Sequence, residues 1–188
     1  MTRKTTILGL GTLLLVALGT ASRPAVAQFN SPKGTVNINA NAVEALTVNV
    51  SNGAITIPLS ENNPNNLSTS PAGGTTITTA WILSASRTAV KVFIFAATPN
   101  PLSNGTNTIP ATSIKISSTG QGGTYNALAA GTPFGTGLQI GPTTNLTSLN
   151  RSSNRSDTIF FAIDTTFNPQ LSAGTYSGSL SIQAQTTP

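Results

Sequence analysis

The chain has 188 residues, 38% hydrophobic and only 7% charged, with nine basic and four acidic side chains and a formal charge of +5. It contains neither cysteine nor histidine, which excludes disulfides, thiolate nucleophiles, cysteine-held zinc or iron–sulfur, and every catalytic arrangement built on imidazole. Glu44, Glu61, Asp157 and Asp164 are its only carboxylates, thin material for acid–base chemistry or a hard-cation cage.

Residues 1–27 read as a secretory signal peptide. Arg3 and Lys4 give a basic start, residues 7–18 form an apolar run, and Ala25-Val26-Ala27 is a small-residue cleavage site ahead of Gln28. Gly19-Thr20-Ala21 offers a second acceptable site. The apolar run falls short of the roughly 20 residues needed to span a bilayer, and no cysteine follows it to carry a lipid anchor. Cleavage at Ala27–Gln28 removes Arg3, Lys4 and Arg23, leaving six bases against four acids and a charge of +2. Of these bases only Arg151 and Arg155 lie close together, so the basic footprint of a nucleic-acid binder is absent. Residues 28–188 are long enough for one domain with its own core. The expected location is the periplasm, cell surface or exterior.

Beyond residue 28, Thr, Ser, Asn and Gly dominate, and apolar residues alternate with polar ones at the spacing of β-strands. Val36, Ile38 and Ala40 form the first alternating set. Leu46, Val48 and Val50 form the second, and Ile55, Ile57 and Leu59 follow a Ser51-Asn52-Gly53 turn. Residues 61–74 are a polar loop. Ile77, Thr79, Trp81 and Leu83 share a strand face, with Trp81 a core residue, and residues 88–97 are the most apolar strand. Ile114 and Ile116 alternate around Lys115. The glycine-rich residues 119–156 suggest bulges, loops or short edge strands. Strand character returns over residues 157–163 and again over 174–185, where Tyr176, Leu180, Ile182 and Ala184 share a parity. Short strands separated by turn residues predict an all-β fold, an antiparallel Ig-like β-sandwich, with a jelly roll or small barrel as the alternative.

Little here carries catalytic chemistry. Asp157 and Asp164, seven residues apart on one strand, would face opposite ways and stand roughly 23 Å apart, far beyond a glycosidase pair. Asp157 is expected to pair with Arg155 or Arg151. Gly174-Thr175-Tyr176-Ser177-Gly178 misses the nucleophile-elbow spacing and leads into a strand rather than a helix. The glycine groups 120–123 and 131–135 lack the strand–turn–helix setting of a phosphate loop. The run Glu61-Asn62-Asn63-Pro64-Asn65-Asn66 holds one carboxylate and reads as a loop rather than a calcium site. Five Asn-x-Ser/Thr triplets, at Asn66, Asn104, Asn145, Asn150 and Asn154, favour surface positions. No catalytic residue, metal or cofactor is expected.

The stretch Pro169-Gln170-Leu171-Ser172-Ala173-Gly174-Thr175-Tyr176-Ser177-Gly178-Ser179-Leu180 and its continuation to Ala184 resembles the final strand of secreted bacterial Ig-like sandwiches of the spore coat U and archaic chaperone–usher pilin type. Residues 33–50 are similar to the start of those proteins, although this chain lacks the cysteine pair common in such pilins. The resemblance implies assembly: an extended segment of one subunit adds as a strand to an exposed edge of another. Residues 34–42 would then be the donor, with Val36, Ile38 and Ala40 facing inward. Pairing of that segment within its own sheet is the alternative. The expected function is that of an exported, non-enzymatic structural or adhesive surface protein, whose partner is another copy or another surface protein. A sandwich-type carbohydrate-binding module, with Phe93, Phe95 or Tyr125 as its platform, is the alternative.

Overall fold

The computed structural model describes residues 33–59, 67–69, 73–167 and 171–188. The cleavage residues Ala27 and Gln28 and the loop residues 61–66 lie outside the described residues. The chain divides into a leading unit, residues 1–39, and a second unit, Ala40–Pro188, which carries all the described strands. These are β1 (Ala45–Ser51), β2 (Leu67–Thr69), β3 (Thr75–Ile82), β4 (Ala89–Phe95), β5 (Leu102–Ser103), β6 (Thr108–Ile109), β7 (Ile114–Ser117), β8 (Asn126–Ala127), β9 (Ala129–Thr132), β10 (Gly135–Asn145), β11 (Ser152–Asp164), β12 (Ser177–Gly178) and β13 (Ser181–Thr187).

A larger sheet has the order β1-β3-β11-β7-β8, with β2 also paired to β11. A smaller sheet has the order β13-β4-β10-β9, and β12-β5-β6 form a short third sheet. The ladders are antiparallel. The expected all-β antiparallel sandwich is the fold. The small barrel is corrected: the larger sheet ends in β1 and β8 and the smaller in β13 and β9, so neither closes on itself.

Alternation makes the core. Along β3 buried and half-buried residues alternate without a break until Ile82, with Ile77 and Trp81 inside. Ile77, Ile114, Ile116, Ile159, Phe161 and Ile163 of the larger sheet meet Val92, Ile94 and Ile140 of the smaller in one apolar cluster. Trp81 packs with Leu83 and Val90 in a second, and its indole N–H donates to the Asn150 carbonyl at 2.8 Å, as a buried indole requires. Central β4 departs from alternation because both of its faces are covered. On the outer one, Phe134 from the turn between β9 and β10 stacks on Phe95 at 5.1 Å and meets Phe93 edge-on at 5.7 Å.

The two sheets are also joined by a polar tie. Strand β10 bulges between Ile140 and Thr144, where Gly141 takes a φ of 62° that costs an L-residue strain. A bulge frees backbone carbonyls from the ladder. Arg155 of β11 fills that need: its guanidinium donates to the carbonyls of Ile140, at 3.2 Å, and Pro142, and to the Thr144 hydroxyl at 2.8 Å. Its Nε holds Asp157 at 2.8 Å, both side chains being largely buried. A Cβ on Gly141 would stand 2.5 Å from the Asp157 carboxylate.

Several stretches depart from the sequence reading. Residues 36–40 and 55–59, both with strand-like alternation, join no ladder. Residues 135–145, which read as glycine-rich edge or loop, form the long interior strand β10. The expected final strand over 174–185 is two strands: β12 pairs with β5 in the short sheet, and β13 pairs with β4.

Replacing Arg155 with Met leaves Asp157 buried without a counter-charge and the bulge carbonyls without donors. A loss of roughly 3 kcal/mol of stability is expected, read as a lower urea midpoint at unchanged m-value. Arg155→Lys, with no fork to span three acceptors, should recover only part of it.

Candidate functional site

The core is sealed unevenly. A cleft of about 1570 Å³ enters it beside β1 and the residues that run into β13, and Val48, Ile57, Ile94, Ile163, Tyr176 and Leu180 are among the residues lining it. That exceeds the roughly 300–1,000 Å³ of a small-molecule pocket. Its floor is core: Ile94 and Ile163 are buried. Val48, Ile57, Tyr176, Leu180 and Ile182 are only partly buried although they pack against that core, and Val50, Ile55 and Leu59 are exposed at the rim.

Local chemistry explains the shape. Residues 53–59 leave β1 at Asn52, which has a φ of 57°, and then follow no neighbouring strand. On the other wall the break between β12 and β13 is set by Gly178, where a Cβ would collide with the Pro101 carbonyl. The close approach pulls β12 onto β5 and away from the line of β13. Tyr176 and Leu180 therefore face the cleft instead of extending one continuous strand.

The rim is pinned by ions. Asp164, at the end of β11, pairs with the Lys115 ammonium at 2.6 Å and accepts from the Thr166 N–H at 3.0 Å and hydroxyl at 2.6 Å. Thr166 itself lines the cleft. Burial alone would raise the Asp164 pKa, but the Lys115 and Thr166 hydrogen bonds outweigh it and hold the carboxyl at about 2. The Asp157–Arg155 pair expected from sequence forms, and both aspartates are occupied as structural partners.

The proposed donor residues lie in a stretch without secondary structure. Val36 and Ile38 are 82% and 85% exposed, Ala40 is exposed, and residues 33–44 join no strand. Where this stretch enters β1, Glu44 accepts from the Ser84 N–H at 2.8 Å and from Arg87 at 3.2 Å. These bonds, Ser84 first, hold the Glu44 carboxyl at about 2. An exposed pair of this kind adds little stability; it fixes the point from which the stretch departs. Arg151 ties the same turn by donating to the Ser84 and Arg87 carbonyls.

The aromatic residues considered for a sugar platform are engaged internally. Phe93 is buried, Phe95 lies under Phe134, and the half-buried Tyr125 donates its hydroxyl to the Gln121 carbonyl at 2.9 Å. Among the described residues no three His, Cys, Asp or Glu side chains stand together to hold a metal. No helix among them is long and apolar enough to cross a membrane. The Lys115–Asp164–Thr166 rim escaped the sequence reading because Lys115 is far in the chain from Asp164 and Thr166. The alternation of Ile55, Ile57 and Leu59 was the available signal for the cleft, since apolar residues that gain no ladder in their own sheet still line a groove. Comparison of the chain with models of known families and with curated proteins finds no match.

Because the Asp164 pKa lies below its ordinary 3.8, the stability it contributes is complete above about pH 4 and is lost as pH falls through about 2. Urea midpoints measured across that window should fall steeply for the natural chain. Lys115→Met, which returns Asp164 toward its ordinary titration, should flatten the fall.

Proposed function

We propose that this is an exported, non-enzymatic structural or adhesive surface protein that assembles by strand addition, with the apolar cleft as acceptor and residues 34–42 as donor. One observation carries the reading. The same unit has an apolar cleft too large for a small ligand and, among the described residues, β1 and β13 as terminal strands of their sheets, while an alternating apolar stretch in the chain is exposed and unpaired. An extended peptide of nine residues spans about 30 Å and offers every second side chain to one face. Val36, Ile38 and Ala40 are then the inward set. Its backbone N–H and C=O groups supply the free edge with the ladder it lacks. The edges themselves favour this: β1 and β13 contain no charged residue or proline, the features that usually block edge pairing.

The sequence reading of residues 1–27 as an export signal fits the same role, as does a core that needs no disulfide. The sole reading of comparable chemistry, a carbohydrate-binding module on Phe93 and Phe95, is disfavoured by the burial of Phe93 and the ring of Phe134 over Phe95.

The purified protein is expected to form oligomers by size-exclusion chromatography and ladders or filaments by electron microscopy. Ile38→Asp places a charge where the donor enters an apolar groove and should abolish assembly with circular dichroism and thermal midpoint unchanged, since Ile38 is exposed in the single chain. A natural chain that stays a monodisperse monomer over the concentration range of the natural surface overturns the proposal, and so does an Ile38→Asp chain that assembles normally.

A further inference from the structure

The outer face of the larger sheet, away from the cleft, carries a regular array without charge. In the register of β1, β3 and β11, Ala45 lies beside Ile82 and Ser152, and Thr47 beside Ala80 and Asn154. The next two rows contain only Asn, Thr and Ser, with Thr78 and Ser156 in hydroxyl contact at 3.1 Å and Thr76 and Thr158 at 3.5 Å. None of the twelve positions is ionisable. Beside the first row Glu44 and Arg87 neutralise one another at 3.2 Å, and Arg151, next to Ser152, spends its donors on the Ser84 and Arg87 carbonyls.

Within this array the first two rows form a hollow of about 400 Å³ lined by Ala45, Thr47, Ala80, Ile82, Ser152 and Asn154. Its cause is plain: Ala45 and Ala80, diagonal to one another, carry one methyl each where the adjoining Ile82, Thr47 and Asn154 carry longer side chains. The lining is amphipathic. Ile82, 45% exposed, and the two alanines give an apolar floor and wall, while Asn154 and Ser152 are exposed with no side-chain hydrogen-bond partner among the described residues. The Thr47 hydroxyl is committed only to a long contact of 3.4 Å with the Ala80 carbonyl.

We propose that this hollow binds one ring of an uncharged polysaccharide, and that the hydroxyl rows beyond it support the rings that follow. The inference rests on the reading of the chain as a surface protein, extends its adhesive side, and is independent of the cleft. Three features select the ligand. A face without charge offers no electrostatic attraction to phosphates, uronic acids or basic peptides, so the partner is neutral. A pyranose ring is itself amphipathic, with C–H faces for Ile82 and the alanines and hydroxyls for the Asn154 amide and the Ser152 and Thr47 hydroxyls. The hollow is shallow and open to solvent, so it takes one face of a ring rather than an enclosed small molecule. Strand spacing near 4.8 Å and a same-face repeat of about 6.7 Å along each strand then extend a lattice of donors and acceptors from the hollow, suited to an extended, repeating polymer rather than to a free monosaccharide.

The test is retention of the purified protein on crystalline cellulose, chitin and insoluble curdlan, with alginate beads as the anionic comparison and assembly measured in parallel by size exclusion. The natural chain should be retained on at least one neutral polymer, insensitive to salt. Asn154→Ala should lower that affinity about tenfold, the usual consequence of losing one hydrogen bond to a ligand. Ala45→Lys, which sweeps a charged side chain across the hollow from an exposed edge position, should lower it at least as much. Both should leave the thermal midpoint unchanged, and Asn154→Ala, on the interior strand β11, should also leave the oligomeric state unchanged, whereas Ile38→Asp should alter assembly and leave monomer binding intact. Retention on none of the neutral polymers, retention on alginate alone, or neutral binding that survives both substitutions overturns the proposal. Binding lost with Phe134→Ala but not with Ala45→Lys overturns it too, by moving the site to the other sheet.

Discussion

The fold depends on one side chain crossing from sheet to sheet. Arg155 projects from β11 into the bulge of β10, satisfies carbonyls that the bulge has taken out of the ladder, and is neutralised by Asp157 two residues along its own strand. Apolar packing alone would let two twisted sheets slide and rotate against one another, because dispersion and burial are non-directional. A guanidinium with its donors in a fixed fork sets the register between layers. With only 7% of its residues charged, the chain commits this ion pair to the middle of the sandwich rather than to its surface.

None of the residues in that tie lines the cleft, and the contrast organises the molecule. At the bulge the layers are closed by charge, hydrogen bonds and the Ile140 side chain. Beside Val48 and Val50 of β1 and the residues that lead into β13, apolar residues that share the core are left half covered. The Lys115–Asp164–Thr166 cluster stiffens the end of β11 where it borders the opening. A rigid floor beside terminal strands is the arrangement in which an added strand gains both ladder bonds and apolar burial without repacking its host.

Where neighbours in sequence are also neighbours in the structure, the reading from sequence is accurate. The alternation of Leu46, Val48 and Val50 gives β1, that of Ile77, Thr79 and Trp81 gives β3, and the apolar run 89–95, broken by Lys91 alone, gives a strand covered on both faces. The failures have a common physical origin: alternation reports that a segment suits a ladder, not that a ladder awaits it. Residues 36–40 and 55–59 have the pattern without the partner. Strand β10 has the partner without the pattern, because Gly137 sits against Phe95 where a Cβ would strike the backbone of Ile94, and Gly141 serves the bulge. The break at Gly178 was hidden for the same reason, since the close approach of Pro101 is a fact of tertiary structure. The outer array of the larger sheet was present in the sequence as the polar half of each alternation, but its flatness and its hollow appear only once three distant strands are set in register.

The placement of β13 has a consequence for the order of events in folding. Strand β4 is one of the two inner strands of the smaller sheet, and one of its two neighbours is β13; the hydroxyls of Thr88 and Thr187 that meet at their junction are 99 residues apart in the chain. During synthesis the most apolar strand emerges long before the partner that covers its flank, and contacts of such separation form slowly, on the millisecond-to-second scale of β-topologies. A newly made chain therefore completes its smaller sheet only after residues 181–187 have arrived, an interval set by its own topology.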